Sequence, residues 1–183
     1  MLFPISDNTN KNIAIQSVIA PCFSSSDIEK VKRDINVSDW KEMMSKKIEV
    51  KGKYQLFKNI ELFPHLIKIV SNINSQAWRF DINYLNCEID MPSVLEYEKG
   101  GQFGWHRDIE PEHSTRKLSF TIQLSDSDEY EGGDLEFFQS TNKESRKKGN
   151  IIVYPSFLWH RIAPITKGKR LAIVGWVHGP VYR

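Results

Sequence analysis

Hydrophobic side chains recur at helical spacing in two segments of the first half of the chain. The longer stripe predicts a helix over Leu62–Trp78, in which Pro64 lies near the start, where proline is tolerated. A shorter stripe over residues 28–35 predicts a second helix, which Ser26 or Asp27 can cap. Both segments are amphipathic, so we expect them to be packing elements.

From about residue 81 the pattern changes to short apolar runs that are separated by turn residues. A run over Asn12–Ala20, ahead of the helices, predicts an edge strand. Eight later runs, rich in β-branched and aromatic residues, predict the strands Ile82–Ile89, Val94–Glu98, Phe103–Asp108, Lys117–Leu124, Asp134–Gln139, Asn150–Tyr154, Trp159–Ile165 and Arg170–Val177.

Short strands at near-regular spacing are typical of a β-barrel or jelly roll. Because the predicted helices precede the strands, we expect them to cover one face of the sheet structure. The pattern therefore predicts a mainly β fold with supporting α, a barrel or jelly roll flanked by N-terminal helices. We expect residues 1–183 to form a single domain. Within it, about 1–80 would be helical support and edge strands and about 81–180 the jelly roll.

Composition and charge remove several classes of function. Of the 183 residues, 40% are hydrophobic and 26% are charged, which is ordinary globular composition. Lys and Arg total 25 and Asp and Glu total 23, so the net charge of +2 argues against a nucleic-acid partner or a polybasic membrane contact. No apolar run approaches about 20 residues, so no membrane partner is expected. Cys22 and Cys87 match no metal-binding spacing, which favours reduced thiols and a cytoplasmic location.

Candidate chemistry comes from the few histidines. In the predicted strand Phe103–Asp108, His106 and Asp108 are two positions apart, so their side chains project to one face. Such a pair is a weak signal alone, since a hydrogen-bonded histidine at a strand end is the more common explanation. His160 lies in another strand-like run, Pro155–His160. Two imidazoles and one carboxylate on neighbouring strands match the facial triad of non-haem Fe(II) oxygenases, whereas a closed zinc site would need a fourth ligand.

Arg170 is a second, independent signal. The residues Thr166–Lys169 predict a turn, so that the strand starting at Arg170 would return beside the strand bearing His160. One face of that strand carries Arg170, Ala172, Val174 and Trp176. An arginine that points into a barrel is costly unless a carboxylate meets it, and its planar fork suits a carboxylate. A surface arginine at a hairpin is an equal explanation by itself, but beside the metal triad Arg170 predicts an anchor for an acidic cosubstrate.

Six segments carry a wider motif pattern: Tyr97–Asp108, Arg116–Ser119, Tyr130–Leu135, Gly149–Ser156, His160 and Gly168–Trp176. In this order and spacing they resemble the Fe(II)/2-oxoglutarate-dependent dioxygenases, specifically the prolyl 4-hydroxylase-like branch. The resemblance extends over about residues 92–180, nearly half of the chain. It implies a double-stranded β-helix (jelly-roll) core and an enzyme that uses Fe(II), 2-oxoglutarate as cosubstrate and O2. It leaves ascorbate open as a further cofactor.

The resemblance also implies roles for single residues. His106, Asp108 and His160 would bind iron, and Arg170 would hold the distal carboxylate of 2-oxoglutarate. Tyr97 matches a tyrosine that commonly hydrogen-bonds the cosubstrate.

A central strand supplies further candidates for the pocket. Some relatives carry a second tyrosine there, and Gln123 stands at that position in this chain. By strand parity Ser119, Thr121 and Gln123 share a face, which we expect to line the pocket. Thr121, Gln123 and Trp176 complete the predicted cosubstrate-binding set.

The implied reaction is hydroxylation of a substrate C–H bond coupled to decarboxylation of 2-oxoglutarate to succinate. A prolyl residue of a peptide or protein is the leading substrate. A free amino acid or another small molecule is the alternative substrate, and a non-catalytic jelly-roll binding module is the alternative from a different class. The side chains that can contact an extended peptide are Trp105, Arg107, Tyr130, Trp159 and Arg161, although ordinary packing or exposure explains each equally well.

Two other branches of the superfamily fit the sequence less well. Nucleic-acid demethylases usually carry a second arginine six residues after the carboxylate-binding one, and Trp176 stands there in this chain. Asp108 argues against a halogenase, in which that carboxylate is absent to make room for halide.

Overall fold

The computed structural model describes residues 16–83, 90–138, 140–141 and 146–182. Its helices are α1 (Ser25–Asp34) and α2 (Phe63–Ala77). Its strands are β1 (Val18–Pro21), β2 (Lys41–Glu42), β3 (Val50–Lys51), β4 (Lys53–Leu56), β5 (Ser93–Tyr97), β6 (Gln102–His106), β7 (Arg116–Gln123), β8 (Tyr130–Gly132), β9 (Leu135–Phe137), β10 (Ser140–Thr141), β11 (Asn150–Pro155), β12 (His160–Ile162), β13 (Ile165–Gly168) and β14 (Arg170–His178).

Two antiparallel sheets form the jelly roll. The larger sheet has the strand order β1-β11-β7-β14-β5-β4-β2, and the smaller sheet has the order β10-β9-β12-β6-β3. Buried residues from both sheets, such as Leu95 and Tyr154 of the larger and Leu135 and Ile162 of the smaller, pack in one cluster. The sheets therefore face each other, and the predicted mainly β jelly roll is confirmed.

The helices cover the other face of the larger sheet. Leu66 and Val70 of α2 and Ile28 of α1 are buried in a second cluster, together with Ile122 and Ile173 from the sheet. Burying each such side chain stabilises the fold by about 1.5–3 kcal/mol. The prediction that the helices cover one face is confirmed. Within the described part of the chain, no helix has the length and apolarity needed to cross a membrane.

The two helices differ in how closely they follow the sequence pattern. Helix α2 matches the prediction, with a proline in its first turn. Helix α1 starts earlier than predicted, because Ser24 is its N-cap. The Ser24 hydroxyl accepts a hydrogen bond from the Asp27 amide at 3.2 Å, and the Asp27 carboxylate accepts one from the Ser24 amide at 3.0 Å. Asp27 is thus the third residue of a capping box, and the predicted cap at Ser26 or Asp27 is wrong.

Residues before the jelly-roll segment supply strands to both sheets. β1 lies at the edge of the larger sheet beside β11, as predicted for the run that ends at Ala20. β4 pairs with β5 and β3 pairs with β6, although no strand was predicted for either segment. The parts of the predictions that fall on residues 12–15, 84–89 and 139 lie outside the described residues.

The segment that follows His160 is organised differently from the prediction. The predicted strand Trp159–Ile165 is divided into β12 and β13, because β12 joins the smaller sheet whereas β13 pairs with β8 in a separate ribbon. The predicted turn over Thr166–Lys169 is wrong, since the strand continues to Gly168, where a φ of 74° allows the tight reversal into β14. The strand β8 (Tyr130–Gly132) was not predicted.

Candidate active site

Two histidines lie opposite each other in the smaller sheet. His106 ends β6, His160 begins β12, and the two are register partners with ring centroids 4.2 Å apart. Each Nδ1–H donates a hydrogen bond to a backbone carbonyl, that of Gly104 at 2.8 Å and that of Leu158 at 3.0 Å. Because a carbonyl only accepts, the proton lies on Nδ1 and each Nε2 presents a lone pair to the site.

Asp108 reaches the histidines by a different route from the one predicted. β6 ends at His106, so strand parity does not place the carboxylate. Instead, the Asp108 amide donates to the carbonyl of Ser156 at 3.0 Å, and Arg116 Nη1 donates to the Asp108 carbonyl at 3.1 Å. The carboxylate lies 3.6 Å from His106 Nε2 and 3.5 Å from His160 Nε2. The ligand atoms of the three buried side chains all lie within 4.8 Å of one another.

The electrostatics of this cluster suit a cation. Burial by itself would raise the pKa of Asp108. This effect is outweighed by the adjacent His160 and His106 and by the Ser119 hydroxyl, which hold the pKa well below its usual range. Burial lowers the pKa of His160 by more than Asp108 raises it, which favours the neutral imidazole. A carboxylate and neutral imidazoles are the protonation states that metals require. Two nitrogens and one oxygen, with no fourth protein ligand among the described residues, fit Fe(II) with open positions.

A cavity of about 240 Å³ between the two sheets connects this cluster with Arg170. The strand prediction for Arg170 is wrong: β14 pairs with β5 and β7 in the larger sheet and not with the strand of His160. Arg170 and the histidines therefore line the cavity from different sheets.

Arg170 is 3% exposed and is the register partner of Tyr97, with its guanidinium carbon 5.8 Å from the Tyr97 ring centre. Among the residues that the structure describes, no carboxylate forms an ion pair with Arg170, unlike Arg116, which binds Asp90. A buried cation without a counter-charge is costly, so this wall of the cavity is suited to an anion from outside.

Two hydroxyl groups on the same wall also lack a partner. Tyr97 Oη and Thr121 Oγ1 are buried, line the cavity and have no hydrogen bond within the described residues. Burial raises the pKa of Tyr97, so its hydroxyl stays protonated and can donate. Buried polar groups are nearly always hydrogen-bonded, which indicates that a ligand with oxygen atoms completes this set.

The other predicted cosubstrate residues have different surroundings. Trp176 lines the cavity and stacks under the guanidinium of Arg116, 3.7 Å from the ring centre. Gln123 is not among the lining residues, because its amide donates to the hydroxyl of Tyr130 at 2.7 Å. The prediction that the whole polar face of β7 lines the cavity therefore holds for Ser119 and Thr121 but is wrong for Gln123.

Sequence reasoning missed Tyr154. It lines the cavity from β11, and its hydroxyl lies 3.2 Å from His160 Nε2. Burial raises its pKa well above the ordinary value. The signal was available, since strand parity places Tyr154 and Ile152 on the face opposite Ile151 and Val153.

The side chains predicted to contact a peptide do not all reach the surface. Trp105 and Trp159 are exposed, and the guanidinium carbons of Arg161 and Arg107 lie 5.0 Å and 5.2 Å from their ring centres. Tyr130 is buried, so the prediction that it faces a peptide is wrong.

Comparison with known proteins shows which families this chain resembles. Residues 92–178 match the model of the 2OG-Fe(II) oxygenase superfamily. A PKHD-type hydroxylase of Synechococcus sp. (strain CC9902) is 45% identical over 87 residues, which cover 46% of this chain and 39% of that protein. The chain spans between 37% and 45% of the length of the first curated relatives it matches, all PKHD-type hydroxylases.

Solved structures support the same fold. A Pseudomonas putida prolyl-4-hydroxylase has a TM-score of 0.70 at 15% identity and covers 90% of this chain and 93% of its own. A prolyl hydroxylase from Trichoplax adhaerens, in complex with a hypoxia inducible factor peptide fragment, has the same TM-score and identity and covers 90% and 84%. Residues 92–178 are therefore similar to the 2OG-Fe(II) oxygenase superfamily. The chain's curated relatives are PKHD-type hydroxylases, and its fold is similar to that of the prolyl hydroxylase structures. The superfamily implies Fe(II), 2-oxoglutarate and O2.

Proposed function

We propose that this chain is an Fe(II)- and 2-oxoglutarate-dependent dioxygenase that hydroxylates a substrate C–H bond and decarboxylates 2-oxoglutarate to succinate. The observation that carries the proposal is the pairing, in one cavity, of a buried His-Asp-His cluster with an arginine that no described carboxylate neutralises. The first part suits a metal with open positions, and the second suits an acidic cosubstrate.

The proposed roles follow from the position of each side chain. His106, Asp108 and His160 would hold Fe(II), and Arg170 would bind the distal carboxylate of 2-oxoglutarate. Tyr97 would donate a hydrogen bond to the same cosubstrate, which satisfies its unpartnered hydroxyl. Metal and cosubstrate together supply the oxidative chemistry when bound, and the protein supplies binding and orientation.

The apolar part of the cavity wall serves to exclude water. Leu95 lines the cavity from the larger sheet, and Leu135 and Ile162 line it from the smaller one. A dry wall strengthens the electrostatic contacts of Arg170 and Asp108 and limits side reactions of the bound cosubstrate.

A prolyl residue of a peptide or protein is the proposed substrate. The PKHD-type relatives are hydroxylases, and one structural neighbour is a prolyl hydroxylase in complex with a peptide fragment. The cavity supports the same choice, because its volume is about 240 Å³ and 2-oxoglutarate would occupy part of it. With 2-oxoglutarate bound, little enclosed room is left, which favours a substrate that inserts one side chain from outside.

The experiment combines cosubstrate turnover with product analysis. Protein supplied with Fe(II), 2-oxoglutarate and proline-containing peptides should form succinate, and mass spectrometry should find one added oxygen on proline. The His160→Ala variant, checked for folding by circular dichroism, is the control and should do neither. Succinate formation with oxygen added only to free amino acids or other small molecules would select the alternative substrate class. Equal succinate formation by wild type and His160→Ala would refute the metal assignment.

Three further elements of the proposal stay predictions. They are a single domain over residues 1–183 with a catalytic jelly roll from about residue 81, a cytoplasmic location, and ascorbate as an additional cofactor.

A further inference from the structure

Ser119 contacts the proposed metal ligands directly from the larger sheet. Its hydroxyl donates a hydrogen bond to Asp108 Oδ2 at 2.6 Å, and both side chains are buried. A hydrogen bond from a hydroxyl to an ionised carboxylate is short and about twice as strong as one between neutral groups. Ser119 therefore has a strong influence on how the Asp108 carboxylate is oriented.

The Asp108 carboxylate fixes the direction of this hydrogen bond, and Ser156 contacts Ser119 from its other side. An ionised carboxylate only accepts, so the single hydroxyl hydrogen of Ser119 is used on Asp108. The 3.0 Å contact between the hydroxyls of Ser119 and Ser156 is then donated by Ser156. The Ser156 carbonyl also accepts the Asp108 amide at 3.0 Å. A chain of hydrogen bonds thus runs from Ser156 through Ser119 and ends on one oxygen of Asp108.

The two oxygens of that carboxylate have different surroundings. Oδ1 lies 3.6 Å from His106 Nε2, and Oδ2 lies 3.5 Å from His160 Nε2, so both face the cluster. Only Oδ2 accepts the hydrogen bond from Ser119. That hydrogen bond occupies a lone pair and draws negative charge from Oδ2, which makes Oδ1 the stronger ligand.

We infer, resting on the proposed function, that Ser119 is a positioning residue that keeps Asp108 a ligand through one oxygen only. One carboxylate oxygen and two imidazole nitrogens leave about three of the positions of an octahedral ion open. A chelating 2-oxo acid needs two of these, and O2 needs the third. A carboxylate bound through both oxygens would take one of them, so Ser119 preserves the position that the reaction needs.

The test counts the water molecules on a bound metal and does not depend on turnover. Mn(II), which also prefers octahedral oxygen-rich sites, is added to the protein without cosubstrate, and water-proton relaxation gives the number of exchangeable waters. The wild type should hold about three and Ser119→Ala about two, because both oxygens of Asp108 become available. Ser119→Thr, which retains the hydroxyl, should restore the wild-type number.

Ser156→Ala is the matched control. It makes the same change at a buried serine one hydrogen bond further away and leaves the contact between Ser119 and Asp108 in place. It should keep about three waters. An unchanged water number in Ser119→Ala would overturn the inference for Ser119 while leaving the metal site intact. Failure of the wild type to bind Mn(II), or equal binding by His160→Ala, would contradict the proposed function itself.

Discussion

The two faces of the larger sheet are built from alternate residues of the same strands, yet they are of opposite character. On the helix side, β7 contributes Leu118, Phe120 and Ile122. Toward the smaller sheet it presents Ser119, Thr121 and Gln123. β11 repeats the contrast, with Ile151 and Val153 against the helices and Tyr154 in the cavity.

The helix face of the larger sheet therefore contributes mainly to stability, and the cavity face mainly to ligand binding. On the helix side, the side chains of β7 and β11 are apolar and buried, so they need no ligand. On the cavity side, Arg170, Tyr97 and Thr121 are buried without the partners that such groups normally have. Buried polar groups without partners occur on the cavity face, where a ligand can bind them. The apolar face of the same strands stabilises the fold and so offsets their cost. The predictions below test the two faces against each other.

The largest expected effect is on the cavity face, at Arg170. Replacing Arg170 with Met should raise the KM for 2-oxoglutarate by at least about 100-fold, because charge-assisted hydrogen bonds contribute about 1.5–3 kcal/mol each. The free energy of unfolding should not fall, since an unpaired buried cation is removed. Kinetics at varied 2-oxoglutarate and urea unfolding measure both quantities. Arg161→Met, at a half-buried arginine that pairs with Glu136 at 2.6 Å, is the control and should leave the KM unchanged.

The opposite result is expected on the helix face. Leu66 of α2 is fully buried, so Leu66→Ala should lower the free energy of unfolding by about 2–5 kcal/mol. Affinity for Mn(II) should stay within a few-fold of the wild type, because the larger sheet separates this residue from the cluster. Urea unfolding and metal titration provide the two readouts. A variant that loses metal binding while it is still folded would show that the faces are not separate.

A substitution at Thr121 tests the role of a single hydroxyl on the cavity face. Thr121→Val keeps the shape of the side chain and removes an unpartnered buried group, so the free energy of unfolding should rise by up to about 1 kcal/mol. Binding of 2-oxoglutarate should weaken by about 5- to 10-fold, the loss of one hydrogen bond. Lower stability together with unchanged cosubstrate binding would assign the hydroxyl to the fold instead of the site.

The smallest effect concerns the reactivity of Cys22 in the helix-side cluster. Burial raises the pKa of its thiol to about 12, so the thiolate is only on the order of one part in 10,000 at pH 8. Peptide mass analysis should therefore find Cys22 almost unlabelled by iodoacetamide in native protein and fully labelled in urea. Rapid labelling of the native protein would mean that this side opens more easily than its packing indicates.

Local patterns predicted those features that depend on one strand or one helix. The parity of β7 placed Ser119 and Thr121 on one face, and the stripe of α2 predicted its packing side. Features that depend on contacts between distant segments were not predictable. Asp108 is placed by Ser156 and Arg116, which come from other parts of the chain.

The error at Arg170 has the same origin. The residues between His160 and Arg170 form β13, which leaves the smaller sheet and pairs with β8, so the chain crosses to the larger sheet before β14 begins. A local turn prediction cannot register this crossing. It nevertheless determines the site, because it places the arginine on the wall of the cavity that lies across from the histidines.

Anaerobic titration of the Fe(II)-loaded protein with 2-oxoglutarate tests the central claim most directly. A 2-oxo acid that chelates the iron produces a visible charge-transfer absorption. The account predicts that this band appears and saturates in the wild type, is absent in His160→Ala, and requires at least about 100-fold more cosubstrate in Arg170→Met. No band in the wild type, or the same titration curve in all three proteins, would contradict it.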